Sequence, residues 1–426
     1  MRLMLATLVV AGLLLVGCGS SGAPAAADTG QSVASTQQRN QSPNVPPADL
    51  AALVAGNTRF ALDLYQRQSA EGNLFCSPYS ISLALAMAYA GARGATATQM
   101  ASTLGFTLPP ERLHPACNAL DLALLSRATT RAGEQAFRFR LANALWGQRG
   151  ETFQAPFLDA LALNYGAGMR VVDYRADAET ARRAINVWVA EQTAERVKDL
   201  LPQGAVNDLT RLVLTNAIYF LAPWATPFEP GATTNGTFTC LDGARVTAPF
   251  LHGVRELPYA VGDVWEAVEL PYVGGQVALL AIVPGPGRFA AVSAALDATK
   301  LGAIVGALQP AQVTLALPKF SFSSSLGLVA TLRALGTTDA FDPARADLSG
   351  INGRRDLYVT DVVHKAFVKL DEQGTEAAAA TGVVFGTTSI PALQAILTID
   401  RPFLIVLRDR PTGTILFLGR VANPTA

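Results

Sequence analysis

The sequence predicts a single large α+β domain, and three observations lead there. Half of the 426 residues are hydrophobic, enough for a sizeable core. Helical and strand periods mix through the chain without the regular alternation of a doubly wound sheet. Only one stretch, close to the N-terminus, has the composition of a linker, and no internal repeat is visible.

The chain opens on Met1-Arg2, followed by a near-continuous apolar run from Leu3 to Val16. That run is too short for a membrane helix of ~20 residues and has the form of a signal peptide over residues 1–17. Its end, Leu15-Val16-Gly17-Cys18, resembles a bacterial lipobox, in which the cysteine thiol is lipidated and becomes the new first residue. An ordinary signal peptide cleaved nearby, with Cys18 incidental, is the plainer alternative. Acyl chains contribute ~0.8 kcal/mol per buried methylene, so several of them anchor a protein firmly. Gly19 replaces the aspartate that commonly retains such proteins at an inner membrane. The expectation is an exported protein held by lipid at a cell surface or outer membrane, or extracellular if released. Residues 18–47 are rich in Ser, Ala, Gly, Gln, Asn and Pro, and are expected to form a flexible tether. Residues 48–426 form the folded domain.

Within that domain, Ala51–Tyr65, Ser80–Tyr89 and Ala181–Leu200 carry apolar residues at helical steps, the last with Ile185, Trp188, Val189 and Val197 on one side. Strand-like runs cover Arg211–Tyr219, Val277–Val283, Gln312–Phe322, Val362–Leu370, Phe403–Leu407 and Ile415–Val421.

Composition excludes several functions. Lys plus Arg total 33 and Asp plus Glu total 33, so nothing points to nucleic acid or to acidic membrane surfaces. The three histidines, His114, His252 and His364, stand far apart without partners at ligand spacing, so no metal site and no cofactor are expected. Beyond Cys18, the odd set Cys76, Cys117 and Cys240 suggests buried free thiols, with a Cys117–Cys240 disulfide left open. No Gly-x-Ser-x-Gly, Ser-x-x-Lys, His-Glu-x-x-His, Cys-x-x-Cys, P-loop or dinucleotide fingerprint occurs. His364 sits mid-strand, where a hydrogen-bonded structural histidine is expected, so an enzyme reading lacks its residues.

One stretch fits no ordinary loop. From Glu372 to Pro391 the chain connects two strand-like runs, and connections of this length are usually functional or disordered. Thr375, Ala377, Ala379 and Thr381 form an alternate face of small, uncharged side chains, with no proline before Pro391. Small residues on one face are what a segment needs to slide between existing strands without overpacking. An alanine-rich helix over Thr375–Ala380 is the competing local reading.

The run Glu372-x-Gly374-Thr375-Glu376-Ala377-Ala378-Ala379-Ala380-Thr381 resembles the hinge of inhibitory serpins. Further serpin motifs follow in order along residues 50–426. They include Asn73-x-Phe75-x-Ser77-Pro78-x-Ser80-Ile81, Asn186-x-Trp188-Val189 and Leu214-x-Asn216-Ala217-Ile218-Tyr219-Phe220 with Trp224 and Phe228. Glu269-Leu270-Pro271-Tyr272, Leu317-Pro318-Lys319-Phe320, His364-Lys365-Ala366 and Phe417-x-Gly419-Arg420-Val421-x-Asn423-Pro424 complete the series. Leu221-Ala222-Pro223 departs from the Lys-Gly that the family usually carries after the aromatic pair.

The resemblance implies a serpin fold of three β-sheets and about eight to nine helices, acting as a suicide inhibitor of serine-type proteases. A protease would attack the loop, form an acyl-enzyme, and be dragged away as the loop's N-terminal half inserts into the large sheet. Counting fifteen residues from Gly374 places the cleaved bond at Thr388–Ser389, with Thr387–Thr388 and Ser389–Ile390 as alternatives. A small β-branched residue there suits elastase-like or subtilisin-like proteases. Ser77, Ser80, Asn216 and His364 match the shutter, where the sheet opens. The expected partners are a serine-type protease and a membrane through the lipid, the chain itself being monomeric. A non-inhibitory serpin serving as a surface binding or structural protein is the alternative, against which the Thr-Ala-Ala-Thr face argues.

Overall fold

A computed structural model describes residues 30–68, 71–127, 138–375 and 393–426. The lipidation candidate Cys18, the hinge residues Glu376, Ala377, Ala378, Ala379, Ala380 and Thr381, and the Thr388–Ser389 bond lie outside the described residues.

Elements are numbered along the chain. The main sheet has seven strands, in the spatial order β1 (Gln31–Val33), β4 (Met169–Val172), β3 (Arg138–Gln148), β5 (Leu212–Pro223), β13 (Gly374–Thr375), β12 (Asp361–Leu370) and β11 (Phe320–Gly327). A second hydrogen-bonded ladder runs β14 (Leu393–Thr398), β10 (Gln309–Pro318), β7 (Arg245–Val261), β8 (Trp265–Pro271), β9 (Val277–Pro284), β15 (Phe403–Asp409), β16 (Ile415–Val421) and β2 (Leu74–Cys76). β6 (Thr234–Thr239) pairs with β7 outside this path. The 17-residue β7 belongs to two layers. Residues 245–259 pair with β6 and β10, and only Tyr259–Val261 pair with β8. The ladder therefore divides into two sheets, three in all, as expected.

Six helices precede or flank the main sheet: α1 (Pro47–Gln66), α2 (Pro78–Tyr89), α3 (Gly94–Leu104), α4 (Pro110–Ser126), α5 (Ala155–Tyr165) and α6 (Tyr174–Gln192). α7 (Phe289–Ala294), α8 (Ala298–Ala307), α9 (Val329–Ala334) and α10 (Ser349–Asn352) follow. The described residues thus hold ten α-helices, in keeping with the eight or nine expected. Among them are short pieces such as α10, only 4 residues long, which no periodicity could reveal.

α2 is buried on nearly every side and packs beneath the main sheet against β3, β5 and β16. Its start is specified locally: the Ser77 hydroxyl accepts from the Ser80 N–H at 3.2 Å, and Pro78 occupies the first turn. α6 covers the opposite face, with Ile185 and Val189 against Trp146, Val213, Ala217 and Val363. Arg170 of β4 lies between Trp146 and Trp188, 5.0 and 4.6 Å from their ring centres.

Three expectations need correction. The helix expected to reach Leu200 stops at Gln192, because Ala194 and Glu195 adopt positive φ of 51° and 62° and break the helical path. The run Gln312–Phe322 divides at Lys319 into β10 and β11, so one apolar stretch feeds two sheets. Residues 30–46, expected within the tether, pack on the domain. β1 extends the main sheet by pairing antiparallel with β4. Arg39 donates to Asn118 Oδ1 at 2.8 Å and pairs with Asp121 at 2.6 Å, while Val33 and Val45 pack against the core. Strand addition and one charged anchor provide the ordering that the polar composition did not advertise. Cys76, Cys117 and Cys240 are all free and buried, so Cys117 and Cys240 do not pair.

Candidate functional site

The site lies along the line where β5 and β12 meet. These strands pair in parallel from Asp361–Val213 to Ala366–Ile218. Beyond that point they part, and β13 stands between them. Gly374 and Thr375 pair antiparallel with Pro223 and Ala222 on one side, and Thr375 pairs with Leu370 on the other. Chain that leaves β12 turns back at once, the Asp371 N–H donating to the Gly374 carbonyl at 2.9 Å. Only glycine fits at 374. Its φ is +153°, and a Cβ there would stand 2.1 Å from the Ala222 carbonyl oxygen.

A polar and aromatic clamp holds this wedge. Trp224 donates its backbone N–H to the Gln373 carbonyl at 2.8 Å and its indole N–H to the Asp371 carbonyl at 3.0 Å. The Phe228 N–H donates to the Glu372 carbonyl at 2.7 Å. Trp224 stacks on Tyr272 at 4.7 Å, and the Tyr272 hydroxyl meets Thr375 Oγ1 at 2.6 Å. Lys319 Nζ contacts both Glu372 carboxylate oxygens at 2.8 Å, and the Thr233 hydroxyl donates to one of them at 2.7 Å. Burial alone would raise the Glu372 carboxyl, but the bonds from Lys319 and Thr233 prevail and hold it below its ordinary range.

Lower down, where β5 and β12 still pair, the four residues assigned to the shutter are joined in one network. His364 and Asn216 are register partners, and His364 Nδ1 contacts Asn216 Oδ1. The Ser77 N–H donates to His364 Nε2 at 3.1 Å, so Nε2 is the bare nitrogen and Nδ1 carries the proton. Asn216 Nδ2 donates to Ser80 Oγ at 2.6 Å and to Asn143 Oδ1 at 2.5 Å. Ser80 Oγ donates in turn to Asn143 Oδ1 at 3.0 Å, and Ser77 Oγ donates to the Leu416 carbonyl at 2.7 Å. His364 is fully buried, and burial pushes its pKa down from 6.5 to about 3. A neutral imidazole is what this directional arrangement requires.

Sequence reasoning found Ser77, Ser80, Asn216 and His364 but missed Asn143, the fifth member. Its signal was present: a lone amide in the otherwise apolar run Leu141-Ala142-Asn143-Ala144-Leu145 must find a partner. Thr233 was missed as well, and Trp224, Tyr272 and Lys319 had been noticed without a role. Glu372, Gly374 and Thr375 are brought together with them at the parted end of the strands. Among the described residues no cluster of His, Cys, Asp or Glu is arranged to hold a metal ion.

Comparison with known proteins agrees with this geometry. The family model described as "Serpin (serine protease inhibitor)" matches residues 55–424. An uncharacterised serpin-like protein of Thermococcus kodakarensis is 40% identical over 369 residues, covering 86% of this chain and 84% of that protein. The human leukocyte elastase inhibitor is 35% identical over 384 residues, covering 87% and 99%. The native structure of the thermophilic serpin tengpin superposes with a TM-score of 0.81 at 25% identity, covering 92% of this chain and 99% of that one. With the family model matched over residues 55–424 and relatives of 40% and 35% identity over most of its length, this chain belongs to the serpin family.

Proposed function

We propose that this serpin is an inhibitor of serine-type proteases, acting as a suicide substrate whose loop inserts between β5 and β12. The observation that carries the reading is β13, two residues of the hinge already seated as strand in the gap. Continuing both registers by six residues would set Thr381 opposite Asn216 and His364 together, since those two are themselves partners. Thr375 is buried and its side chain meets Tyr272 on the core side. Ala377, Ala379 and Thr381 would alternate onto the same face, where small uncharged groups enter with least overpacking. About ten new backbone bonds, at a net ~0.5–1.5 kcal/mol each, would release on the order of ten kcal/mol. That is comparable with the whole stability of a typical protease domain.

The reading places the attacked bond at Thr388–Ser389 and favours elastase-like or subtilisin-like targets; similarity to the human leukocyte elastase inhibitor supports the first. Cys18 is proposed as the lipid anchor that holds a monomeric inhibitor at the cell surface. The test mixes a Cys18→Ala chain, which cannot be lipidated, with an elastase and a subtilisin on denaturing gels with intact mass. A covalent complex and a released peptide starting at Ser389 are expected. Loop cleavage without complex, and without gain in heat stability, would replace this reading with a non-inhibitory one.

A further inference from the structure

Away from the main sheet, the end of α2, the first turns of α3 and α4, and α5 enclose an open cavity of about 750 Å3. This volume lies in the range of small-molecule sites. Two polar side chains line it without having spent their hydrogen-bonding capacity. Tyr89 is 9% exposed and His114 6%, with ring centres 6.1 Å apart. The Tyr165 hydroxyl occupies His114 Nδ1 at 2.6 Å, leaving Nε2 without a partner among the described residues. The Tyr89 hydroxyl likewise makes no hydrogen bond among them. Both side chains line the same open space, so a single hydroxyl group entering it would meet a donor-acceptor pair held in place by the surrounding helices.

The walls around them are small and apolar: Ala92, Ala97, Pro115, Pro156 and Ala160. Charges of both signs stand at the rim, Arg93 against Glu111 and Asp159, so neither sign prevails there. Arg93 donates to the carbonyls of Ala90 and Ala92 at 3.1 and 2.7 Å, and Glu111 stands at the same mouth. Burial pushes His114 down to about 4 and raises Tyr89, so both are neutral at physiological pH. Neither could offset a charge brought into the cavity.

We propose that this cavity is a binding site for a small, planar, uncharged molecule with one hydroxyl, of the phenol class. Its hydroxyl would bridge Tyr89 Oη and His114 Nε2, and its ring would lie against the alanine and proline wall. The site is separate from the inhibitory reading and stands whether or not a protease is captured.

The probe is p-cresol, titrated by calorimetry into the Cys18→Ala chain and into Tyr89→Phe and Ala97→Trp made on it. Wild-type residues should bind saturably at one site. Tyr89→Phe, whose lost hydroxyl holds nothing else, should weaken binding roughly three- to ten-fold. Ala97→Trp, which fills the cavity, should abolish it. Absence of saturable binding, or equal binding by Tyr89→Phe, overturns the proposal. The latter arm remains decisive even if the tryptophan variant does not fold.

Discussion

The two ends of the β5–β12 seam differ in how they are held. At the upper end the strands are parted, and their facing edges are occupied by Gly374 and Thr375. At His364 and Asn216 they pair directly over a sealed network of side chains. The upper end is gripped from outside, by Trp224, Phe228 and Lys319 acting on Glu372 and Gln373. The lower end is gripped from beneath, by Ser77 and Ser80 at the start of α2 and by Asn143 of β3. For the insertion proposed above both conditions matter: a slot where entry begins, and a latch strong enough to keep the slot from running further by itself.

The comparison breaks most completely if the loop cannot pass the latch. Thr381→Arg should raise the stoichiometry of inhibition at least ten-fold, turning inhibitor into substrate, because a buried charge would have to displace the network. Retained stable complexes on denaturing gels would mean the register drawn from β13 is wrong.

Removal of the latch comes next. His364→Ala should cost roughly 2–4 kcal/mol, leaving the Ser77 N–H and Asn216 Oδ1 buried without partners. Mild heating followed by native gels should show polymers; a monomer as heat-resistant as the parent would refute the latch.

Acid tests the same residue by a different route. The folded state keeps His364 neutral, with its pKa lowered to about 3, whereas the unfolded chain takes up a proton near 6.5. The folded state therefore binds fewer protons across that window, and stability must fall as pH drops through it, by at most ~1.4 kcal/mol per unit. Denaturant midpoints at pH 7 and pH 5 should differ, and His364→Gln should reduce the difference.

The smallest effect is expected at the upper end. Glu372→Gln removes the charge that Lys319 holds while keeping the Thr233 contact, and should cost about 1 kcal/mol, since the Lys319 side chain is 30% exposed. A larger loss than that of His364→Ala would reverse the order of the two grips.

How much of this was legible varies with the kind of signal. The apolar steps of Ser80–Tyr89 announce a helix, and α2 covers them but begins two residues earlier, at Pro78 after the capping Ser77. The small-residue face from Thr375 onward suits the insertion proposed above, and its first residue, Thr375, stands as strand in β13. Asn143 went unassigned because nothing within its own strand names the partner; Ser80 is far off in sequence and meets it only through the sheet register. Residues 30–46 read as tether because composition counts apolar surface, and it cannot foresee one edge strand or an arginine reaching Asp121. The Tyr89–His114 cavity had no sequence signal at all, since four separate helices build it.

By itself the sequence determined the α+β class, the main helices and strands, and an alternate face of small side chains from Thr375 to Thr381. These follow from periodicity, capping and side-chain size, which act over a few neighbouring residues. Only the tertiary structure decided that β5 and β12 part above Ala366 and pair below it, that Gly374 and Thr375 sit in the gap, and that Asn143 joins the His364 network. Those facts depend on hydrogen bonds and close contacts between residues distant in sequence, 73 positions apart for Asn143 and Asn216 and 148 for Asn216 and His364, and such pairings exist only once the sheets have been assembled.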